Sequence, residues 1–475
     1  MALTAKIHVL IFPYPAQGHM LPLLDLTHQL ATRGVSITIL VTPKNLPILD
    51  PILSEHPSIK TLVLPFPPHP SIPPGLENVK DLPIQAFVSM MCALRELHRP
   101  IVDWFGSHPD PPAAIISDMF LGWTHHLAVE LGIKRFEFSP SGALALSVIY
   151  GLWWSMPKKD DPSDESQVVS FPEIPNCPKY PWWQLSTVYR SYVAGDPVSE
   201  FIKEGFWGNM KSWGLVINSF SELERVYIEH LRKVLGHDDR VWAVGPLLPP
   251  DNDHPSGPVQ RGGSSTVSVE EIKSWLDERE DQTVVYVCFG SQAVLTNDQV
   301  RELALGLEKS GVSFILCVKE PTKGGHVCAG SCATPRGFED RVAGRGLVIR
   351  GWVPQVAILR HRAVGAFLTH CGWNSVLEGV VAGVALLCWP MGADQFSNAT
   401  LLVEQLKVGI RVCEGGQTAP DSNVLSRAVA DLVSEQHAEI RKRVKALRET
   451  ALAAVKEGGT SVKVLDELVE HLATL

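Results

Sequence analysis

The chain has little positive charge and lacks long apolar runs. It carries 42 lysines and arginines against 51 aspartates and glutamates, a formal net charge of −9. Nucleic acids and anionic membrane surfaces attract cationic faces, so neither is expected to be the main partner. No stretch approaches 18 uninterrupted apolar residues, so no membrane-spanning helix is predicted.

Cysteine is also scarce, with nine residues in a chain of 475. An odd number at this density fits reduced thiols better than a disulfide framework, and a cytoplasmic location is therefore expected. His326, Cys328 and Cys332 surround a glycine-rich turn, but a structural zinc site needs four ligands. We interpret this segment as a loop insertion without a metal.

Several catalytic signatures are missing. The sequence has no G-x-G-x-x-G, no G-x-x-x-x-G-K-[ST], no G-x-S-x-G and no H-E-x-x-H. Their absence disfavours a dinucleotide dehydrogenase, a P-loop nucleotidase, a serine hydrolase of the elbow type and a zinc protease. One D-x-D triplet, residues 251–253, lies in a stretch crowded with Pro, Gly and Ser. We interpret this triplet as chance, and no metal site is expected.

Short apolar runs alternate with amphipathic stretches, which is typical of parallel sheets covered by helices. An N-terminal run over 7–12 resembles the start of a signal peptide, but prolines break it and no cleavage site follows, so a buried strand is predicted. The other predicted strands are Ser36–Val41, Ala113–Ser117, Arg135–Phe138, Thr283–Phe289, Ser313–Lys319, Leu347–Gly351, Val364–Thr369 and Val384–Trp389.

The alternation of apolar runs and amphipathic stretches stops at a Pro/Gly/Ser-rich segment and then resumes, which indicates two domains. We predict two Rossmann-like α/β domains, residues 1–248 and 269–457, joined by a linker over 249–268. A C-terminal helix over 458–475 is predicted to pack back on the first domain. Parallel sheets bind ligands beyond the carboxyl ends of their strands, so two facing sheets would form a cleft with one ligand on each wall.

The segment from Trp352 to Gln395 carries the clearest chemistry. A strand ends at His370, Cys371 and Gly372 form a turn, and a helix begins at Trp373. Backbone N–H groups at such a helix start are unpaired and carry the positive end of the dipole. His370, Asn374 and Ser375 add further donors. This arrangement suits a diphosphate without a metal.

The same segment offers groups for the rest of a nucleotide sugar. Glu378 is placed to accept from two ribose hydroxyls, and Trp352 presents a flat face to a base. Asp394 and Gln395 pair an acceptor with a donor for sugar hydroxyls. Each residue also has a plain structural interpretation. Trp352 could be a core residue, Glu378 part of a solvated helix face, and Asp394 a helix cap. As one spaced set they favour a binding site.

The N-terminal half supplies a candidate base. His19 follows the first predicted strand and Asp118 follows the strand Ala113–Ser117, so both are expected at one sheet edge. An aspartate that accepts from one imidazole nitrogen leaves the other as a base and stabilises the imidazolium. A lone histidine at a helix start is usually structural, but the pair favours catalysis.

The Trp352–Gln395 segment and the PYPAQGHM stretch around His19 resemble the plant secondary-product UDP-glycosyltransferases, a family with the GT-B fold. The resemblance covers the whole chain. It implies that Trp352 and Gln355 hold the uracil and that Glu378 binds the ribose. The positions implied for the phosphates are Gly290, Ser291, His370, Asn374 and Ser375. The positions implied for the sugar are Trp373, Asp394 and Gln395.

The resemblance further implies an inverting transfer of glucose from UDP-glucose to a small phenolic acceptor, with His19 as general base and no cofactor or metal. Gln395 resembles the glucose-using members. A monomer is expected. Phe120 and Ser141 are acceptor candidates, whereas most tryptophans of the N-terminal half are interpreted as core. Open alternatives are another sugar such as rhamnose or xylose, a terpenoid acceptor, an epimerase or phosphorylase, and a non-catalytic UDP-sugar binder.

Overall fold

The computed structural model describes residues 7–82, 86–237, 239–248, 267–318 and 334–475. The chain divides into two compact units. The first unit comprises the chain up to Leu248 together with Ala454–Leu475, and the second unit comprises the residues from Pro249 to Ala453. Most of the predicted linker, the 251–253 triplet and the candidates His326, Cys328 and Cys332 lie outside the described residues.

The described residues form fifteen strands and eighteen α-helices. The strands are β1 (His8–Phe12), β2 (Ser36–Val41), β3 (Lys60–Val63), β4 (Ala114–Asp118), β5 (Lys134–Ser139), β6 (Val168–Ser170), β7 (Lys179–Pro181), β8 (Gly214–Ile217), β9 (Val241–Ala243), β10 (Val284–Cys288), β11 (Ser313–Val318), β12 (Gly346–Arg350), β13 (Val364–Thr369), β14 (Ala385–Cys388) and β15 (Gly409–Arg411).

The helices are α1 (Gln17–Thr32), α2 (Asp50–Glu55), α3 (Ala86–Arg95), α4 (His98–Ser107), α5 (Thr124–Leu131), α6 (Ala143–Ser155), α7 (Thr187–Arg190), α8 (Pro197–Met210), α9 (Ser221–Leu235), α10 (Val269–Asp277), α11 (Asn297–Ser310), α12 (Phe338–Arg341), α13 (Gln355–Arg360), α14 (Trp373–Ala382), α15 (Gln395–Thr400), α16 (Ser422–Val433), α17 (Ala438–Val455) and α18 (Thr460–Ala473). None of these helices combines the length and the apolar character that crossing a membrane requires.

The first unit is built on a parallel sheet with the strand order β3-β2-β1-β4-β5-β8-β9. All five residues of β1 are buried, because helices cover a parallel sheet on both faces. Phe12 lies in register with Ser117, so β1 and β4 end at the same edge. The apolar face of α18 joins this core through Leu465, Leu468 and Leu472.

The second unit has a parallel sheet with the order β12-β11-β10-β13-β14-β15. Thr369 at the end of β13 lies in register with Cys288 and with Cys388, so three strand ends share one edge. Only glycine fits at position 365, because a Cβ there would lie 2.2 Å from the carbonyl oxygen of Gln282.

The predicted class, two α/β domains on parallel sheets, is confirmed. Most element boundaries differ from the prediction by one or two residues. After β4 the chain does not enter a helix directly, and α5 begins only at Thr124. The preceding residues Met119–Leu121 form a 3₁₀ turn, because the Asp118 side chain accepts the N–H of Phe120 and caps that turn.

Candidate active site

The predicted pair His19 and Asp118 is in direct contact. His19 lies in the first turn of α1 and Asp118 is the last residue of β4. The Nδ1–H of His19 donates to Oδ2 of the fully buried Asp118 across 2.9 Å, and Oδ1 accepts from the Phe120 N–H at 2.9 Å. Within the described ranges no residue hydrogen-bonds Nε2 of His19. The aspartate therefore orients the ring and leaves Nε2 for a substrate.

Aromatic side chains hold the His19 ring in place. Phe120 stacks on it, with ring centroids 4.7 Å apart and planes inclined by 26°. Tyr14 packs edge-on from another direction at 5.5 Å, and its hydroxyl donates to the carbonyl oxygen of Phe87 at 2.9 Å. Phe120 was predicted as an acceptor-binding residue, and that role stays a prediction. Tyr14 was missed, although it belongs to the PYPAQGHM stretch around His19.

A buried charged cluster supports Asp118 from β5. The guanidinium of Arg135 donates to the Ser117 hydroxyl at 2.9 Å and to the carbonyl oxygen of Asp118 at 3.3 Å. Burial lowers the pKa of Arg135 to about 10, so it stays cationic at neutral pH. Burial raises the pKa of Glu137 to about 7, although Arg135 opposes this shift, and the hydroxyl of Tyr150 donates to Glu137. This cluster was not predicted from the sequence, although Arg135 and Glu137 form a charged pair inside a predicted strand.

The second acceptor candidate, Ser141, follows β5, the neighbour of β4. It is nearly buried, and its N–H donates to the Ser139 hydroxyl at 3.3 Å. It thus belongs to the same sheet edge as Asp118. The tryptophans of the N-terminal half differ in burial. Trp153 lies in the core, as predicted, whereas the side chain of Trp154 is 72% exposed.

In the second unit, the imidazole of His370 sits between two glycines. A Cβ at Gly290, whose φ is +75°, would lie 2.8 Å from this ring, and one at Gly372 would lie 2.5 Å from its Nε2. Burial lowers the pKa of His370 to about 4, so the ring is neutral at pH 7. A neutral imidazole carries one N–H, so the ring can act as the hydrogen-bond donor that the sequence predicted. Nδ1 is buried without a hydrogen-bond partner among the described residues.

The turn after β13 leads straight into α14. Cys371 adopts a left-handed φ of 65°, and Gly372 is the N-cap residue. Glycine has no side chain to accept the N–H groups of the first helical turn, so an external acceptor can take that place. Trp373, Asn374 and Ser375 occupy this first turn, as predicted from the sequence.

Three predicted residues form one hydrogen-bond network between α13 and α14. The side-chain amide of Gln355 donates to the Ser375 hydroxyl at 3.0 Å and to Oε2 of Glu378 at 2.7 Å. The buried Tyr286 of β10 donates its hydroxyl to Oε1 of Gln355 at 3.0 Å. The network orders the groups predicted for the nucleoside. Tyr286 was missed, because one tyrosine in an apolar strand gives no distinct signal.

Asp394 is tied to the same turn through a residue that the sequence analysis missed. The buried amide of Asn398 donates to Oδ2 of Asp394 at 3.1 Å and to the carbonyl oxygen of Cys371 at 2.9 Å. The side chain of Asp394 makes no capping bond to α15, so the helix-cap alternative is not supported. Asn398 follows Asp394 by four residues, one helical turn, which was its available signal.

The side-chain oxygen of Gln395 accepts hydrogen bonds within the fold, whereas no residue in the described part of the chain accepts from its side-chain amide. Its Oε1 accepts from the N–H groups of Met391 at 2.8 Å and Gly392 at 3.1 Å. Trp352 and Ser291 are both half-buried in loops that follow β12 and β10, so the core alternative for Trp352 is not supported. These loops join the turn after β13 at the carboxyl edge of the sheet, where such folds bind ligands.

Two parallel-sheet units with these polar edges place the protein in the GT-B class of glycosyltransferases. The family described as UDP-glucoronosyl and UDP-glucosyl transferase matches residues 266–436. UDP-glycosyltransferase 89B2 of Stevia rebaudiana is 62% identical over 472 residues, which cover 99% of each chain. The chain belongs to the plant UDP-glycosyltransferases and is an enzyme of that family.

Two further relatives carry information about ligands. Flavonol 3-O-glucosyltransferase UGT89B1 of Arabidopsis thaliana is 57% identical over 473 residues, which cover 99% of this chain and 97% of the relative. The crystal structure of Arabidopsis thaliana UGT89C1 complexed with UDP-L-rhamnose has a TM-score of 0.81 and 41% identity, covering 98% of this chain and 99% of that one. The same relative has been solved in complex with quercetin.

Proposed function

We propose that this enzyme transfers glucose from UDP-glucose to a hydroxyl of a small phenolic acceptor, with inversion at the anomeric carbon. Flavonoids, hydroxybenzoates and other phenylpropanoids form the acceptor class. The observation that carries the proposal is the 2.9 Å hydrogen bond between His19 and the buried carboxylate of Asp118. A non-catalytic UDP-sugar binder would need no such oriented imidazole.

In the proposed reaction, Nε2 of His19 takes the proton of the acceptor hydroxyl. The acceptor oxygen then forms a bond to the anomeric carbon while the bond from that carbon to the UDP oxygen breaks. Attack from the side opposite UDP converts an α-linked donor into a β-glucoside. Asp118 stabilises the imidazolium that results. Such base catalysis typically contributes about 10²- to 10⁴-fold in rate.

The second unit supplies stabilisation for the departing UDP. The N-terminus of α14 offers N–H groups and the positive end of a helix dipole. His370 is neutral and therefore has one N–H to donate. Fixed donors of this kind stabilise the charge that develops on the leaving oxygen. The proposal therefore needs no metal at this step.

The choice of acceptor and sugar is supported by the relatives and by the residues around His19. UGT89B1 is named for glucose transfer to flavonols, and UGT89C1 has been solved with quercetin. The ring of Phe120 stacks on His19, and flat apolar rings suit phenolic acceptors. Rhamnose is the second candidate sugar, because UGT89C1 has been solved with UDP-L-rhamnose at 41% identity.

The test measures UDP release from UDP-glucose and from UDP-rhamnose with flavonols, hydroxybenzoates and terpenoid alcohols, with and without EDTA. His19→Ala is compared with His28→Ala, which removes another histidine of the same helix α1. We expect EDTA-insensitive release that depends on a phenolic acceptor, collapses in His19→Ala and persists in His28→Ala.

Other outcomes contradict parts of the proposal. UDP release without an acceptor would indicate a hydrolase, and no release despite bound UDP-glucose would indicate a binder. Conversion of the UDP-sugar itself without transfer would indicate an epimerase. Equal activity of His19→Ala and His28→Ala would remove the assigned base.

A further inference from the structure

Two cysteines stand side by side at the carboxyl edge of the second sheet. Val287 on β10 lies in register with Leu316 on β11, which places the next residues, Cys288 and Cys317, opposite each other. The Cys317 side chain lies close enough to Cys288 to influence its ionisation. Cys317 is buried, whereas Cys288 is partly exposed. The pair therefore combines one partly exposed cysteine with one buried cysteine.

The surroundings of Cys288 favour its thiolate. Polar contacts with Cys317, Tyr286 and the N–H of Gly290 lower the pKa of Cys288 to about 7, against the cost of its burial. Burial raises the pKa of Cys317 well above its usual range. A partly exposed thiol of low pKa beside a second thiol is the arrangement that peroxides oxidise selectively.

Other cysteines in the described ranges lack this combination. Cys371 and Cys388 also form a thiol pair, but both side chains are fully buried, and burial raises the pKa of Cys371 well above its usual range. Cys177 is exposed, but its thiol donates to the carbonyl oxygen of Pro172 and has no second sulfur beside it. These residues provide internal controls for access and for pairing.

We propose that Cys288 and Cys317 form an oxidisable pair. A peroxide oxidises the Cys288 thiolate to a sulfenic acid and is itself reduced to hydroxide. The Cys317 thiol then attacks the Cys288 sulfur, a disulfide forms, and the sulfenic oxygen leaves as water. A small cavity lined by Phe289, Gly290 and Cys317 lies beside the pair.

The pair is connected to the residues proposed to bind UDP, so this part of the inference rests on the proposed function. The Cys317 thiol donates to the Tyr286 hydroxyl at 3.8 Å, and Tyr286 donates to Gln355 at 3.0 Å. Gln355 in turn orders Glu378. A disulfide has no S–H to donate, so oxidation breaks the first bond of this series. The net contribution of one hydrogen bond corresponds to about a fivefold change in a binding constant. We therefore expect the affinity for UDP to fall by at least that factor.

The experiment exposes the reduced full-length enzyme to graded hydrogen peroxide at pH 7.5, removes the excess with catalase, alkylates free thiols and maps the peptides. UDP affinity is measured by calorimetry before oxidation, after oxidation and after dithiothreitol. Cys288→Ala and Cys317→Ala are compared with Cys177→Ala. We expect a peptide linked through Cys288 and Cys317, weaker UDP binding and full recovery with dithiothreitol.

The variants separate the steps. Cys317→Ala should accumulate a dimedone-reactive sulfenic acid at Cys288, Cys288→Ala should resist peroxide, and Cys177→Ala should behave like wild type. The proposal is overturned if peroxide doses that oxidise Cys177 leave the pair reduced. A linked peptide with unchanged UDP affinity would overturn the coupling to the nucleotide site. Peptide mapping does not depend on activity, so failure of the proposed function would show separately, as absence of UDP binding by the reduced enzyme.

Discussion

Nδ1 of His19 and Oδ2 of Asp118 lie 2.9 Å apart, although 99 positions separate the two residues in the chain. The contact exists because β1 and β4 are neighbours that run in parallel and end together. Asp118 is fully buried and makes hydrogen bonds through both carboxylate oxygens. Its charge is therefore fixed in position relative to the imidazole.

Asp118→Asn should preserve the shape of this pair and remove its charge. An amide cannot stabilise the imidazolium as a carboxylate does, and it can also select the wrong tautomer. We expect kcat to fall about 10²- to 10⁴-fold with KM for UDP-glucose changed little. Steady-state kinetics with saturating acceptor measure this, and a decrease of less than tenfold would contradict the role of Asp118.

Gly290→Ala should weaken UDP binding through His370. Its Cβ would lie 2.8 Å from the imidazole, and the position has a φ of +75°. Gly344→Ala is the matched control, because its φ is +84° and a Cβ there would have no atom within 4 Å. Both variants should lose about 1 kcal/mol of stability from the backbone.

Calorimetry with UDP distinguishes these two variants. We expect only Gly290→Ala to lose affinity for UDP, by about 5- to 150-fold, because an overpacked contact typically costs roughly 1–3 kcal/mol. Equal affinities for the two variants would show that His370 does not need its present position to bind UDP.

The proton affinity of His370 should link UDP-glucose binding to pH. The pKa of His370 is about 4 in the free protein because the ring is buried, so the free ring is neutral above that value. An adjacent diphosphate favours the protonated ring and raises this pKa. Binding is then accompanied by proton uptake, and affinity should rise as pH falls from 6.5 towards 4.5.

Calorimetry in buffers of different ionisation enthalpy measures this uptake directly. UDP-glucose is the suitable ligand, because its diphosphate is a diester without the titrating terminal phosphate of UDP. His370→Asn should bind with no pH-dependent component. Proton release on binding, or an unchanged pH profile in His370→Asn, would rule out contact between His370 and the diphosphate.

Glu137→Gln should change the pH dependence of stability. Burial raises the pKa of Glu137 to about 7 in the folded protein, against 4.5 for an ordinary glutamate. The folded state therefore binds more protons than the unfolded state between these values. The stabilisation is complete below about pH 4.5 and is lost as pH rises through about 7, with a total of order 3 kcal/mol.

Urea unfolding midpoints at pH 5 and pH 7.5 test this prediction. The wild type should lose more stability over that interval than Glu137→Gln, which has no carboxyl group to ionise. Arg135 retains its hydrogen bonds to Ser117 and Asp118 in this variant, so the contact between His19 and Asp118 stays supported. Parallel pH profiles for both proteins would show that Glu137 is ionised throughout.

Much of the site could be predicted from the sequence because its residues follow strands directly. His370 comes after β13 and Asp118 ends β4, and parallel strands end at one edge. The spacing within 352–395 further predicted which residues gather around α14. Such features depend on the local chain, on strand periodicity and on the start of a helix.

Other features were decided only by packing between distant segments. The neutrality of His370 depends on burial beside Gly290, a residue from another strand, and the network at Gln355 depends on Tyr286. Asn398 also donates to the carbonyl oxygen of Cys371, 27 positions away, and local periodicity does not encode that contact.

The sequence by itself determined the α/β fold class, the sheet edges at which ligand binding is predicted, and the family, because hydrophobic periodicity and spaced motifs are local properties of the chain. The tertiary structure decided the charge states and the partners of the site residues. Burial, hydrogen-bond partners and the contact of Cys288 with Cys317 arise only when β10, β11 and β13 stand side by side. Desolvation acts through these neighbours, and they come from segments far apart in the chain.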